Sequence, residues 1–208
     1  MKNTKTVLIL AAVTGALLLG GCGSEKTKTY EQAGKDLSQG SYKYALEEYQ
    51  SSIQNGVKLA QSYRGAGIAS LRLGKYEDAV TVYETFFEVM RVIFKDEIPP
   101  SYHDFDSGDC YLLLAEAYIA AGKTSKAMDA VEKSVMYYID LYNTYTEENI
   151  LQRSHIKSPV VRETELVTSL PKKIIKQKLL YKLSAPGIQA LNREARFLEL
   201  SETVNNLS

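Results

Sequence analysis

The feature that most constrains this chain is an internal repeat with a period of 34 residues. Gly40, Tyr42, Ala45 and Tyr49 recur as Gly74, Tyr76, Ala79 and Tyr83, and every matched pair is 34 positions apart. A recurrence of this length means one supersecondary unit used more than once, each copy needing a neighbour to bury its apolar face. The residue types indicate which unit. Each copy reads as two antiparallel helices. The glycine ends the first helix, where the chain needs a residue at positive φ. The tyrosine two residues later is expected to open the second helix and plug the gap between the two. The alanine stays small because the helices cross there, and the second aromatic packs toward the neighbouring copy.

A third copy starts at Gly122 and carries Ala127 and Val131 at the equivalent positions. It follows the second by 48 residues, 14 more than the period, which places an insertion at residues 91–107. The first helices follow the same logic. Tyr63, Ala66, Gly67 and Leu71 share one side, and Tyr111, Leu114, Ala115 and Tyr118 keep the i, i+3, i+4, i+7 spacing of an amphipathic helix. Together these residues resemble tetratricopeptide (TPR) repeats over residues 28–140. The expected fold is therefore all-α, a TPR-like helical-hairpin solenoid. In the third copy Thr124 replaces the first tyrosine, and the chain departs from the family in three further ways. The opening helix is polar at Thr29, Gln32 and Asp36, Phe86 stands where the family favours alanine, and no proline closes a repeat.

The resemblance implies a partner-binding groove built from the first helix of each repeat. Its candidate residues here are Tyr30, Arg64, Ile68, Arg72, Leu112 and Glu116. Arg64 and Arg72 are eight apart, slightly over two turns, and could hold a carboxylate or a peptide C-terminus. The family's chaperone-binding clamp is not carried over, because Tyr30 and Gly34 replace its first pair of residues.

The N-terminus is a separate module. Lys2 and Lys5 precede an almost unbroken apolar run over residues 7–19, and the run ends Leu19-Gly20-Gly21-Cys22. The apolar run suits a signal-peptide core and is short for a membrane span, which needs roughly 20 residues. The closing tetrapeptide resembles the lipobox of bacterial lipoproteins. That resemblance implies removal of residues 1–21 and lipidation of Cys22, with palmitate among the acyl groups, which would hold the mature chain on the extracytoplasmic face of a cell membrane. Residues 22–27 are expected to be the lipidated N-terminus and a polar tether.

Residues 141–208 lose the period and are expected to form a C-terminal helical extension with capping helices. Pro159 and Pro171 are placed to open helices over 159–169 and 172–183, and a last helix is expected over 188–200 with Ile188, Leu191, Ala195 and Leu198 on one face. The helix over 172–183 is basic and amphipathic. It either caps the repeats or lies on an anionic membrane surface, and the cap is the more economical reading.

Charge excludes one class of function. The 25 Lys and Arg balance the 25 Asp and Glu, which argues against a protein built to grip nucleic acid. The balance conceals a polarity: residues 23–150 hold 13 basic and 20 acidic residues, and residues 151–208 hold 10 and 5. His103, Asp104, Asp106, Asp109 and Cys110 are metal-ligand types close together, but no second cluster completes a site. Asp106 or Ser107 serves as a helix N-cap, and Asp109 suits a first helical turn. Cys110 is expected to be a buried thiol. No catalytic motif and no cofactor site is present.

The function these readings imply is a membrane-anchored lipoprotein that binds an unidentified protein or peptide as an adaptor or assembly factor, without catalysis. The alternative is a structural component of a cell-envelope assembly or secretion machine. A metal-binding protein or enzyme is the remotest reading.

Overall fold

A computed structural model describes residues 23–93, 101–102, 105–144 and 172–207. The chain divides into two compact units, Met1–Glu97 and Ile98–Ser208. Among the described residues it is all-helical apart from one antiparallel pairing two residues long on each side.

The first unit holds α1 (Gly23–Ser38), α2 (Tyr42–Gln54), α3 (Leu59–Arg72) and α4 (Tyr76–Ile93). Each helix packs on the next, and α1 also touches α3, as successive helical hairpins require. The repeat glycines do what their positions demand. Gly40 and Gly74 sit at φ +80° and +70°. At each, the following N–H reaches back across the turn, from Ser41 to the Asp36 carbonyl at 2.8 Å and from Lys75 to the Ser70 carbonyl at 2.9 Å. This closes the helix end and satisfies its last carbonyls. The second helices then start at Tyr42 and Tyr76, one period apart, with Ala45 and Ala79 fully buried behind them.

Several details differ from expectation. Tyr76 does not plug an interhelical gap. It is 42% exposed, with its hydroxyl over the Gly74 turn, because the first residue of a helix projects beyond the hairpin rather than into it. Residues 23–26, expected as a tether, form the first turn of α1. The first hairpin ends without proline. Gly56 at φ +69° closes α2, with the Val57 N–H bonded to the Ser52 carbonyl at 2.9 Å. Phe86, which stands where the family favours alanine, is buried, tilted against Tyr63 and edge-on to Phe87 at 5.8 and 5.1 Å between ring centroids.

The second unit opens with β1 (Ser101–Tyr102) paired to β2 (Phe105–Asp106) within the expected insertion. The third hairpin follows, α5 (Ser107–Ala120) and α6 (Thr124–Thr144), turned at Gly122 with φ +72°. Ala127 and Val131 are fully buried in it, and the Ser134 hydroxyl donates to the Gly108 carbonyl at 2.8 Å across the two helices. The helix expected over 159–169 lies outside the described residues.

The extension comprises α7 (Lys172–Leu183), α8 (Pro186–Gln189) and α9 (Ala195–Asn205). α7 keeps its expected bounds and packs on α6, burying Ile175, Leu179 and Leu183 at every fourth position. Its apolar face is therefore spent on the third hairpin, as a capping helix requires. The expected single helix over 188–200 is instead two. Residues 190–194 turn, and Glu194 is extended at φ −80° and ψ 124°. The break resets the helical phase, so Leu198 is 56% exposed and Phe197 and Val204 are buried instead.

A candidate partner-binding surface

Four of the six groove candidates lie in the first unit, where α3 carries most of the surface. Arg64, Ile68 and Arg72 are spaced by four and so form a stripe along it, about 12 Å from end to end at 1.5 Å per residue. Ile68 is half-buried and the two arginines are exposed. The sequence of α3 contains no Asp or Glu. Among the described residues neither guanidinium has an ion-pair partner. The exposed acids of the second helices, Glu47 on α2 and Glu77, Asp78, Glu84 and Glu88 on α4, give the unit a separate negative charge.

Tyr49 forms the floor beside Arg64. Its ring lies against Gly65 of α3, its hydroxyl passes beneath Gly34 of α1, and Tyr30 meets it edge-on at 6.0 Å between centroids. Burial pushes the Tyr49 phenol above its ordinary range; Tyr30 adds to this, and Arg64 pulls the other way. Tyr30 and Arg64 are thus brought together around one phenol ring. Lys58 joins them, with its ammonium 5.1 Å from the centre of the Tyr30 ring. It caps α3 from the left-handed region at φ 40°, an uncommon conformation for a residue with a side chain. Lys58 over the Tyr30 ring and Arg64 near the Tyr49 phenol, beside an apolar Ile68, can take up a carboxylate next to an apolar side chain.

Sequence reasoning did not include Lys58 or Tyr49 in the surface. Lys58 lies in a loop that the period does not reach. Tyr49 was assigned to packing between repeats, which it does, with only its hydroxyl end directed toward α1.

The two candidates in the second unit are not open. Leu112 is 5% exposed and belongs to the core. Glu116 lies against α8, where a Cβ added to Gly187 would come within 3.1 Å of its Cγ. For Glu116 the physical reason is the extension, since α8 packs on α5 with Gly187 beside it.

Asp109 was considered as a metal ligand and is engaged otherwise. It is ion-paired with Lys182, lies 3.9 Å from the Lys178 ammonium and accepts a hydrogen bond from the Tyr138 hydroxyl at 2.6 Å. Burial alone would raise its pKa, but Lys178, Lys182 and Tyr138 together hold it below the ordinary value. His103 and Asp104 lie outside the described residues. Cys110 is buried with a free thiol. Cys22 also lies outside the described residues, and no described helix is long and apolar enough to cross a membrane.

No protein-family model and no solved structure matches the chain. A curated human protein, Superkiller complex protein 3, is 30% identical to it over 103 residues. The match covers 49% of this chain and 6% of that protein, so the chain spans a small fraction of its relative's length. The likeness is consistent with the TPR-like hairpins described above.

Proposed function

We propose that this chain is a lipoprotein anchored through Cys22 to the extracytoplasmic face of a membrane, and that it binds a protein or peptide partner as an adaptor or assembly factor. The observation that carries the binding reading is the α3 stripe. Two exposed arginines, without ion-pair partners among the described residues, flank Ile68 on a helix that has no acid, beside Lys58 and the Tyr30 and Tyr49 rings. A surface with this composition suits an extended segment that presents carboxylates beside apolar side chains. The anchor reading rests on the positively charged start, the apolar run and Leu19-Gly20-Gly21-Cys22.

Two measurements test the separate parts. Cys22→Ser is expected to abolish incorporation of labelled palmitate and to move the protein out of the membrane fraction; continued acylation would remove the anchor. Arg64→Glu/Arg72→Glu in the acylated protein is expected to weaken partner capture by roughly tenfold or more, because the charge match is inverted. Equal capture by both forms would remove the α3 surface from the binding role.

A further inference from the structure

The open line on α3 is one side chain wide. Between Arg64 and Arg72 the helix buries Gly65, Ala66, Gly67, Ala69 and Ser70, and leaves Ile68 and Leu71 part-exposed. A partner helix, about 10 Å across, finds little to grip on so narrow a line. An extended segment, about 5 Å wide at the spacing of strands in a sheet, matches it. The pitch agrees as well. Arg64, Ile68 and Arg72 follow one another at about 6 Å, four residues at 1.5 Å each. Alternate side chains on one face of a strand follow at about 6.6 Å. Over two steps the mismatch is about 1 Å, which flexible arginine stems take up. Each step also turns about 40° around α3, so the strand crosses the helix obliquely. Along the line the chemistry runs cation, apolar, cation. Both guanidiniums are exposed and have no ion-pair partner among the described residues. A uniform polyanion would set a charge against Ile68, where nothing offsets its desolvation.

We infer that the occupant of the α3 surface is an internal, extended peptide segment of the pattern acid, any residue, apolar, any residue, acid. Its two carboxylates meet Arg64 and Arg72, and its apolar side chain lies on Ile68. The inference rests on the reading of α3 as the partner-binding surface and adds the register of what that surface binds. The two intervening side chains point away from α3 and are unconstrained. No chain terminus is required, because side-chain carboxylates meet both cations. Specificity then comes from position: a segment with the same residues in another order sets its apolar side chain in water, and one with an acid at the centre sets a charge on Ile68.

The test uses the full-length protein in detergent and three synthetic peptides, each with a fluorophore on its N-terminus and an amide at its C-terminus, read by anisotropy. The first, Ser-Glu-Ser-Leu-Ser-Glu-Ser, has the inferred register. The second, Ser-Glu-Leu-Ser-Ser-Glu-Ser, has the same composition with its leucine moved to the opposite face. The third, Ser-Glu-Ser-Glu-Ser-Glu-Ser, carries more charge and no leucine. The first is expected to bind at least about fivefold more tightly than either of the others. Its advantage over the second should vanish in Ile68→Ser, and its binding should fall about tenfold or more in Arg64→Glu/Arg72→Glu. Equal binding of the first two, tightest binding of the third, or no binding of the first overturns the inference. Partner capture by the charge-reversed protein separates the two kinds of failure. If capture still falls, α3 remains the binding surface and the register alone is wrong; if capture is unchanged, the surface reading fails with it.

Discussion

Gly67→Ala is expected to destabilise the first unit by about 2 kcal/mol or more, and Gly65→Ala by a similar amount, although both substitutions improve helix propensity. The reason is the close seating of α3 on two buried rings. A Cβ at Gly67 would lie 2.2 Å from the Tyr83 ring at Cζ and 2.6 Å from both Cε atoms. At Gly65 the nearest Tyr49 ring atoms would be 2.3, 2.4 and 2.7 Å away. Tyr83 is fully buried and Tyr49 is 5% exposed, so neither ring can swing aside into solvent. Removing a mid-helix glycine gains roughly 1 kcal/mol, and forcing an extra methyl into a close-packed interior costs about 1–3 kcal/mol, more where rigid rings must move. At these distances the overlap outweighs the propensity gain.

Gly34→Ala is the matched control. Its Cβ would stand 3.8 Å from the Tyr49 hydroxyl, an ordinary contact, so it is expected to stabilise by up to about 1 kcal/mol. Thermal or denaturant unfolding of the three variants measures the contrast. A Gly67→Ala protein as stable as Gly34→Ala would contradict the packing described here. Combining Gly67→Ala with Tyr83→Leu should cost less than the sum of the two single changes, because the second removes the obstacle to the first.

Asp109→Asn is the second large effect, expected to cost the second unit about 1–3 kcal/mol at neutral pH. The carboxylate lies where the third hairpin meets the basic helix, so its loss removes the negative charge that Lys178 and Lys182 face at that point. The dependence on pH carries a sign. The folded-state pKa of Asp109 is depressed, so its contribution is complete above the ordinary carboxylate pKa and is lost as pH falls through the depressed value. Wild type and Asp109→Asn should therefore differ most near neutrality and converge in acid. Glu48 acts in the opposite direction. Burial and then Asp36 raise its pKa, so the stability tied to its protonated form is present in acid and lost as pH rises through the raised value. Measuring both Asp109→Asn and Glu48→Gln across the acid range separates the two contributions.

The parts of the fold legible in the sequence were those written in strict local rules. Gly40, Gly74 and Gly122 all adopt the positive φ that a helix-ending turn requires, and Pro171 correctly precedes a helix. Where tertiary context decides, the sequence was less informative. Residues 188–200 have a helical apolar spacing that remains regular on paper, yet the chain turns at 190–194, with Ile188 and Leu191 buried before the turn is complete and a new helix starting at Ala195. Leu112 looked like a groove residue because its repeat position is one, yet it is buried on α5, a helix packed by both α6 and α8. The repeat pattern located Arg64, Ile68 and Arg72 on one helix. It had no means of bringing in Lys58, which depends on the left-handed turn before α3 and on the placement of the Tyr30 ring.

The most direct test of the central claim is site-specific photo-crosslinking of the full-length protein in its own membranes. A photoreactive residue is placed at position 68 in the α3 stripe and, as a control, at position 84 on the exposed side of α4. The account predicts a discrete protein adduct from position 68, none from position 84, and loss of the first adduct in the Arg64→Glu/Arg72→Glu background. Adducts from position 84 alone, or a position 68 adduct unaffected by the charge reversal, would contradict it.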